Sequence, residues 1–296
     1  MVKEINNLTD LLDSAPDRFM SQIPAIERKM LNEIHLLLKD LKIKDGRLVS
    51  NAENLKKVNA INKKLEKVII TKEYLKDLKE YASSFTKAAN LANAYFKSVT
   101  ADFKPTAYYK AIRDTAINNT IDSFTTTGIN TNIIKPVSTM LMTAVTTGQG
   151  YTSLVESLRS SIVSSGDNIG SLSRYASTYT VTFLSQFTGQ YMAAINNNLG
   201  FKWYRYVGGN IATTREFCHL MTKKEWIHES EFKTVLSGDI DGQQVKMNER
   251  TGLPAGMIEG TDETSFPANV GGWGCRHQLY AVPDSIVPKE LRQKFE

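Results

Sequence analysis

The chain has 296 residues, 41% of them apolar, enough to bury a core but long for a single one, so more than one compact part is expected. Lys and Arg number 36 against 31 Asp and Glu, a formal charge of +5. That mild basic excess tolerates DNA nearby but lacks the dense field of a dedicated nucleic-acid binder. Two cysteines cannot frame a disulfide-rich secreted fold, Met1–Ser14 has no apolar h-region, and no apolar run approaches the roughly 18 residues of a membrane span. These features exclude a disulfide scaffold and an integral membrane protein, and a reducing cytoplasm is the expected compartment.

Residues 1–104 are rich in Lys, Glu, Leu and Asn and read as helices. Ile26, Met30, Leu31, Ile34, Leu37, Leu38 and Leu41 recur at helical spacing, which predicts a helix over Ser21–Asp40 with Pro24 in its first turn and Asp45-Gly46 as the turn beyond it. A second helix is expected to start near Asn51 as N-cap, with Leu55, Val58, Ile61, Leu65 and Val68 as its stripe. A third runs from Thr71 through Tyr74, Leu78, Tyr81 and Phe85 to Phe96. Their charged faces read as solvated surface, with Lys56, Lys57, Lys63, Lys64 and Lys67 the contact face if DNA is a partner.

Residues 105–200 form a low-charge helical middle region. From Thr120 to Gly200 the charged side chains reduce to Asp122, Lys135, Glu156, Arg159, Asp167 and Arg174, so this stretch is expected to be covered by other elements or by partner subunits. Ile162, Leu172, Tyr175, Tyr179, Phe183, Phe187 and Tyr191 recur at three- and four-residue steps and predict a long helix over about Ser171–Asn197, stopped by Asn196-Asn197-Asn198 and Gly200.

Residues 201–296 hold Trp203, Trp226 and Trp273, both cysteines and three of the four histidines. Phe201–Val207 and Gln278–Val282 read as strands, with Gly208-Gly209, Ser237-Gly238, Asp241-Gly242 and Gly271-Gly272 as turns. The expected fold is therefore mainly α, with long N-terminal and central helices followed by a small C-terminal α+β module. Cys218-His219 and Cys275-Arg276-His277 supply a thiolate and an imidazole from each of two segments, the donor set of a tetrahedral zinc site, with His228 and Asp262 as spare ligands. The other reading makes Cys218 and Cys275 small buried groups that join the two segments while His277 bonds to backbone. No phosphate loop, dinucleotide motif, H-E-x-x-H or nucleophile elbow occurs, so no catalytic residue is assigned and no enzyme activity is expected.

Arg174–Thr178, Trp203-Tyr-Arg-Tyr-Val-Gly-Gly209, Thr213-Thr-Arg-Glu-Phe-Cys218, Trp226 and Gly271-Gly-Trp-Gly-Cys-Arg-His-Gln-Leu-Tyr-Ala-Val-Pro283 together resemble the Mu F-like minor head, or head-morphogenesis, family of tailed bacteriophages. The resemblance spans roughly Tyr151 to Pro283, and its most specific part is the terminal Cys-Arg-His with Val-Pro. It implies a structural virion protein, present in low copy but more than once per particle. Such a protein is incorporated in the host cytoplasm during head assembly and contacts the portal, the major capsid protein, or packaged DNA through salt-sensitive phosphate contacts. An internal DNA-associated or ejected virion protein, or a zinc-dependent module, are the alternatives. On this view Trp203, Arg215, Trp226, Trp273 and Arg276 hold the module or its docking surface. Trp203 and Trp273 are expected in the core, and the two arginines pair with acidic groups inside the module or on a portal subunit.

Overall fold

The computed structural model describes residues 2–295. In chain order its elements are helix α1 (Val2–Leu38), strands β1 (Ile43–Lys44) and β2 (Arg47–Leu48), and helices α2 (Ala52–Ile69), α3 (Lys72–Val99) and α4 (Ala107–Thr125). The short α5 (Thr127–Ile129), a π-turn over Asn130–Ile134, α6 (Lys135–Thr146), α7 (Tyr151–Ile162) and α8 (Ser171–Leu199) follow. The C-terminal part adds β3 (Trp203–Val207), α9 (Glu216–Lys224), β4 (Trp226–His228), α10 (Phe232–Leu236), β5 (Asp239–Ile240), β6 (Gln243–Gln244), α11 (Phe266–Asn269), β7 (Gln278–Val282) and α12 (Lys289–Arg292). The chain is thus mainly α with a small strand-and-helix module at the end, as its periodicity predicts. Among the described residues no helix is long and apolar enough to cross a membrane.

Contacts divide the chain into two compact units. One gathers the residues up to Ala15, Ser83–Ile117 and Thr178 onward; the other gathers Pro16–Ala82 and Asn118–Ser177. The boundaries fall inside α1, α3, α4 and α8, so each unit draws on more than one compositional zone.

The second unit packs an aromatic core of Phe19, Tyr74, Tyr81, Phe124 and Tyr175, with Phe19 and Phe124 edge-on at 5.6 Å and the Tyr74 hydroxyl donating to the Phe124 carbonyl at 2.7 Å. Helix α1 departs from its expected limits: it starts at Val2 and runs through both Pro16 and Pro24. Proline inside a helix removes a hydrogen bond, but the buried series Leu8, Leu12, Ala15, Phe19, Ile23 continues on either side, and its burial outweighs the two interruptions. The buried stripe also passes through Glu27 rather than Ile26: Glu27 is fully buried and Ile26 half-buried. The Glu27 carboxylate accepts from the backbone N–H of Ser173 (2.9 Å), in the first turn of α8, and of Ser164 (3.0 Å). Helix α2 begins as expected, with the Asn51 side chain accepting from the Asn54 N–H, and Asp45-Gly46, both at positive φ, turn β1 into β2.

In the first unit β3 is the centre of an antiparallel sheet in the order β4-β3-β7, with Trp203 opposite His228 and Val282 and Arg205 opposite Trp226 and Tyr280. All five residues of β7 are buried, and the Tyr95 hydroxyl of α3 donates to the Ala281 carbonyl at 2.7 Å. Helix α8 ends at Leu199 with Gly200 at φ +71°, the expected stop.

Candidate metal centre

Helix α9 opens at Arg215, an extended N-cap residue, with Glu216 in its first turn and Lys223 and Lys224 in its last, charges that complement the helix dipole. Its inward face is Phe217, Cys218 and Met221. Cys218 therefore points toward β3 and the Gly271–His277 segment that leads into β7. His219, one residue on, is exposed, because the turn of about 100° per residue carries it past the edge of the buried face set by Phe217, Cys218 and Met221.

Glycines do more here than punctuate. A Cβ at Gly271 would stand 2.4 Å from Cys275 Sγ and 2.8 Å from Cys218 Sγ; one at Gly208 would stand 2.4 Å from the His277 ring, and one at Gly256 2.4 Å from Arg215 Nε. The bare backbone at these positions is what lets the cluster close. Arg215 fastens the same turn, donating from both terminal guanidinium nitrogens to the carbonyls of Gly271 and Trp273. Thr182 of α8 accepts from the Gly274 N–H at 3.0 Å, and Ser185 donates to the Cys275 carbonyl at 2.6 Å.

These constraints bring Cys218, Cys275 and His277, all buried, close enough to hold a metal ion, with ligand atoms within 4.8 Å of one another. The sulfurs are 3.9 Å apart, and Cys275 Sγ lies 3.5 Å from His277 Nδ1. Tetrahedral zinc, with Zn–S about 2.3 Å and Zn–N about 2.0 Å, spaces two sulfurs by about 3.8 Å and sulfur from nitrogen by about 3.5 Å, and these two spacings match it. His277 Nε2 and the Tyr206 hydroxyl are buried without a hydrogen-bond partner of good geometry, and the Tyr206 ring stacks on His277 at 5.1 Å. Polar capacity at the cluster is thus unspent.

The electrostatics favour one thiolate. The Cys275 thiol, followed by the His277 ring and the Tyr206 hydroxyl, stabilises negative charge on Cys218 and brings its pKa down from 9.0 to about 4, against the opposing effect of burial. Cys275, facing that sulfur and itself buried, is pushed well up. Burial pushes the Tyr206 phenol up, and the two sulfurs add to the shift. The cluster forms one wall of a cavity of about 300 Å³ also lined by Asp13, Gly209, Ile211, Thr213, Thr214, Arg215, Gly274 and Arg276.

The remaining residues singled out from the sequence divide as follows. His219 lies outside the cluster. His228 caps the turn after β4 through Ser230, and Asp262 caps the turn into α11 through Ser265; neither is a spare ligand. Trp203 is buried with Val282 and Val287, and Trp226 packs against that group with the Arg205 guanidinium over its ring. Trp273 corrects its core expectation: it is 41% exposed and meets Tyr179 edge-on. For Arg215 the expected acidic partner inside the module is replaced by the backbone carbonyls of Gly271 and Trp273. Arg276 has an acidic partner, but outside the C-terminal module: Asp13 of α1. On α2, Lys56, Lys63, Lys64 and Lys67 are exposed, while Lys57 is held by the Asp40 carbonyl and Glu53. Sequence reasoning missed Tyr206 and Asp13. The first reads as one more aromatic of a strand; the second lies on a helix more than 200 positions away. Comparison with family models, with curated proteins and with solved structures finds no match to this chain.

Proposed function

We propose that this chain is a structural minor head protein of a tailed bacteriophage, built into the head in low copy during assembly and docked at the portal or the head interior. The observation that carries the reading is a coincidence of motif and packing. Three of the five segments that carry the resemblance, Trp203–Gly209, Thr213–Cys218 and Gly271–Pro283, meet around one cavity: β3 pairs along β7, Arg215 holds the Gly271 and Trp273 carbonyls, and Cys218 meets Cys275. Chemically, these segments together close one module. A structural zinc on Cys218, Cys275 and His277 belongs to the same reading, tying α9 to the lead-in of β7. Ile211 and Trp273, both exposed, give that module apolar groups for a partner.

The test is co-sedimentation of the purified chain with procapsids or isolated portal assemblies of the phage that encodes it. Saturable pelleting at a few copies per particle is expected. A chain that stays in the supernatant with both contradicts the proposal.

A further inference from the structure

We infer that Cys218 and Cys275 are the two halves of a reversible disulfide, a covalent lock between α9 and the glycine turn that leads into β7. This rests on the cluster's geometry and stands apart from the virion reading. The chain has two cysteines, 57 positions apart, and folding sets their sulfurs 3.9 Å from each other. Closing to a bonded distance of about 2.0 Å needs an approach of under 2 Å, and Gly271, with no Cβ over the pair, leaves the sulfurs room to turn. Both cysteines line the cavity, the side from which a small oxidant can approach. The segments to be joined are already held in register by Arg215, so the native fold presents the thiols to each other at high effective concentration rather than having to gather them.

The oxidant is a small disulfide of the glutathione type. One protein sulfur attacks it, forming a mixed disulfide and releasing one glutathione. The second protein sulfur then attacks the mixed disulfide, forming the Cys218–Cys275 bond and releasing the other. Two protein thiols are oxidised, one small disulfide is reduced to two thiols, and the protons of the protein thiols end on the two glutathiones.

The full chain, kept with a chelator so that no metal caps the sulfurs, is equilibrated across a series of reduced-to-oxidised glutathione ratios, once folded and once in concentrated urea. Intact mass and non-reducing peptide maps give the fraction crosslinked. The folded chain is expected to lose two hydrogens with no glutathione retained. It should reach half-oxidation at a glutathione poise at least tenfold more reducing than the unfolded chain, which corresponds to about 30 mV. In Cys275→Ser the expected product is instead a glutathione adduct on Cys218, since nothing remains to resolve it. Equal midpoints in the folded and unfolded chains, thiols that stay reduced, or a mixed disulfide that persists in the unsubstituted folded chain would each overturn the inference.

Discussion

Arg276 donates to the backbone carbonyl of Asp13 at 3.2 Å and lies 3.5 Å from its carboxylate, across 263 positions of sequence. The Cys275-Arg276-His277 segment is thus braced by α1. The carboxylate is half-exposed, so Asp13→Ala removes an ion pair worth about 0–1 kcal/mol and leaves the carbonyl bond intact. Arg276→Ala removes both, and the expected cost is larger, on the order of 1–2 kcal/mol. Urea unfolding of the two variants checks the order; equal losses would mean that the carbonyl bond contributes nothing.

Gly208 and Gly209 are neighbours with opposite expectations. A Cβ at Gly208 meets the His277 ring at 2.4 Å, whereas one at Gly209 meets nothing within 4 Å. Gly208→Ala is therefore expected to lower the melting temperature by several degrees and to weaken zinc uptake, and Gly271→Ala to do the same through the two sulfurs. Gly209→Ala is expected to leave both unchanged. Thermal melts with zinc titration by competition against a chromogenic chelator read all three.

Glu27 is fully buried, and its carboxylate takes two backbone N–H groups, those of Ser164 and Ser173. It caps the start of α8 from another helix, and Gly170 makes room for it, since a Cβ there would stand 2.5 Å from Oε1. Removing the acceptor leaves both donors unpaired, that of Ser173 in a buried setting, so Glu27→Ala should cost on the order of 2–3 kcal/mol, and Glu27→Gln, which retains one acceptor oxygen, clearly less. Chemical denaturation with a helical signal tests this. No loss on Glu27→Ala would show that the two N–H groups find other acceptors.

Burial holds the phenols of Tyr74, Tyr81, Tyr95, Tyr206 and Tyr280 well above their ordinary value of 10.0. A raised pKa on a group that is neutral when protonated favours the folded state below the unfolded value. The stability it contributes is complete below about pH 10 and falls as pH rises beyond that, where the unfolded chain releases protons that the folded chain retains. Ionisation of these tyrosines should therefore coincide with loss of helical signal on alkaline titration. Phenols that titrate near pH 10 while the helices persist would contradict their burial.

Much of this architecture is legible in the sequence because it is written in local terms. The Asn51 cap, the apolar spacing of α8 and its Gly200 stop, and the β7 strand each follow from a few adjacent residues. Helix α1 is the exception, because proline rules describe a helix in isolation, and Leu12, Phe19 and Ile23 pack strongly enough to carry it through Pro16 and Pro24. The candidate site was half legible. Cys218, Cys275 and His277 stand out by residue type, but whether His219 joins them depends on which face of α9 turns inward. The glycine pairs suggest turns, whereas Gly208 and Gly271 are needed for close approach to side chains that the sequence does not show to be near. Glu27 and Asp13 look like ordinary solvated charges until the fold brings their partners to them.

Residence in a phage head is the proposal on which the functional reading stands or falls. Quantitative mass spectrometry of purified virions beside empty procapsids tests it most directly. A protein that enters at assembly and remains is expected in both particles at the same low, fixed copy number. Its absence from both would contradict the claim and leave the cysteine–histidine cluster in need of a different explanation.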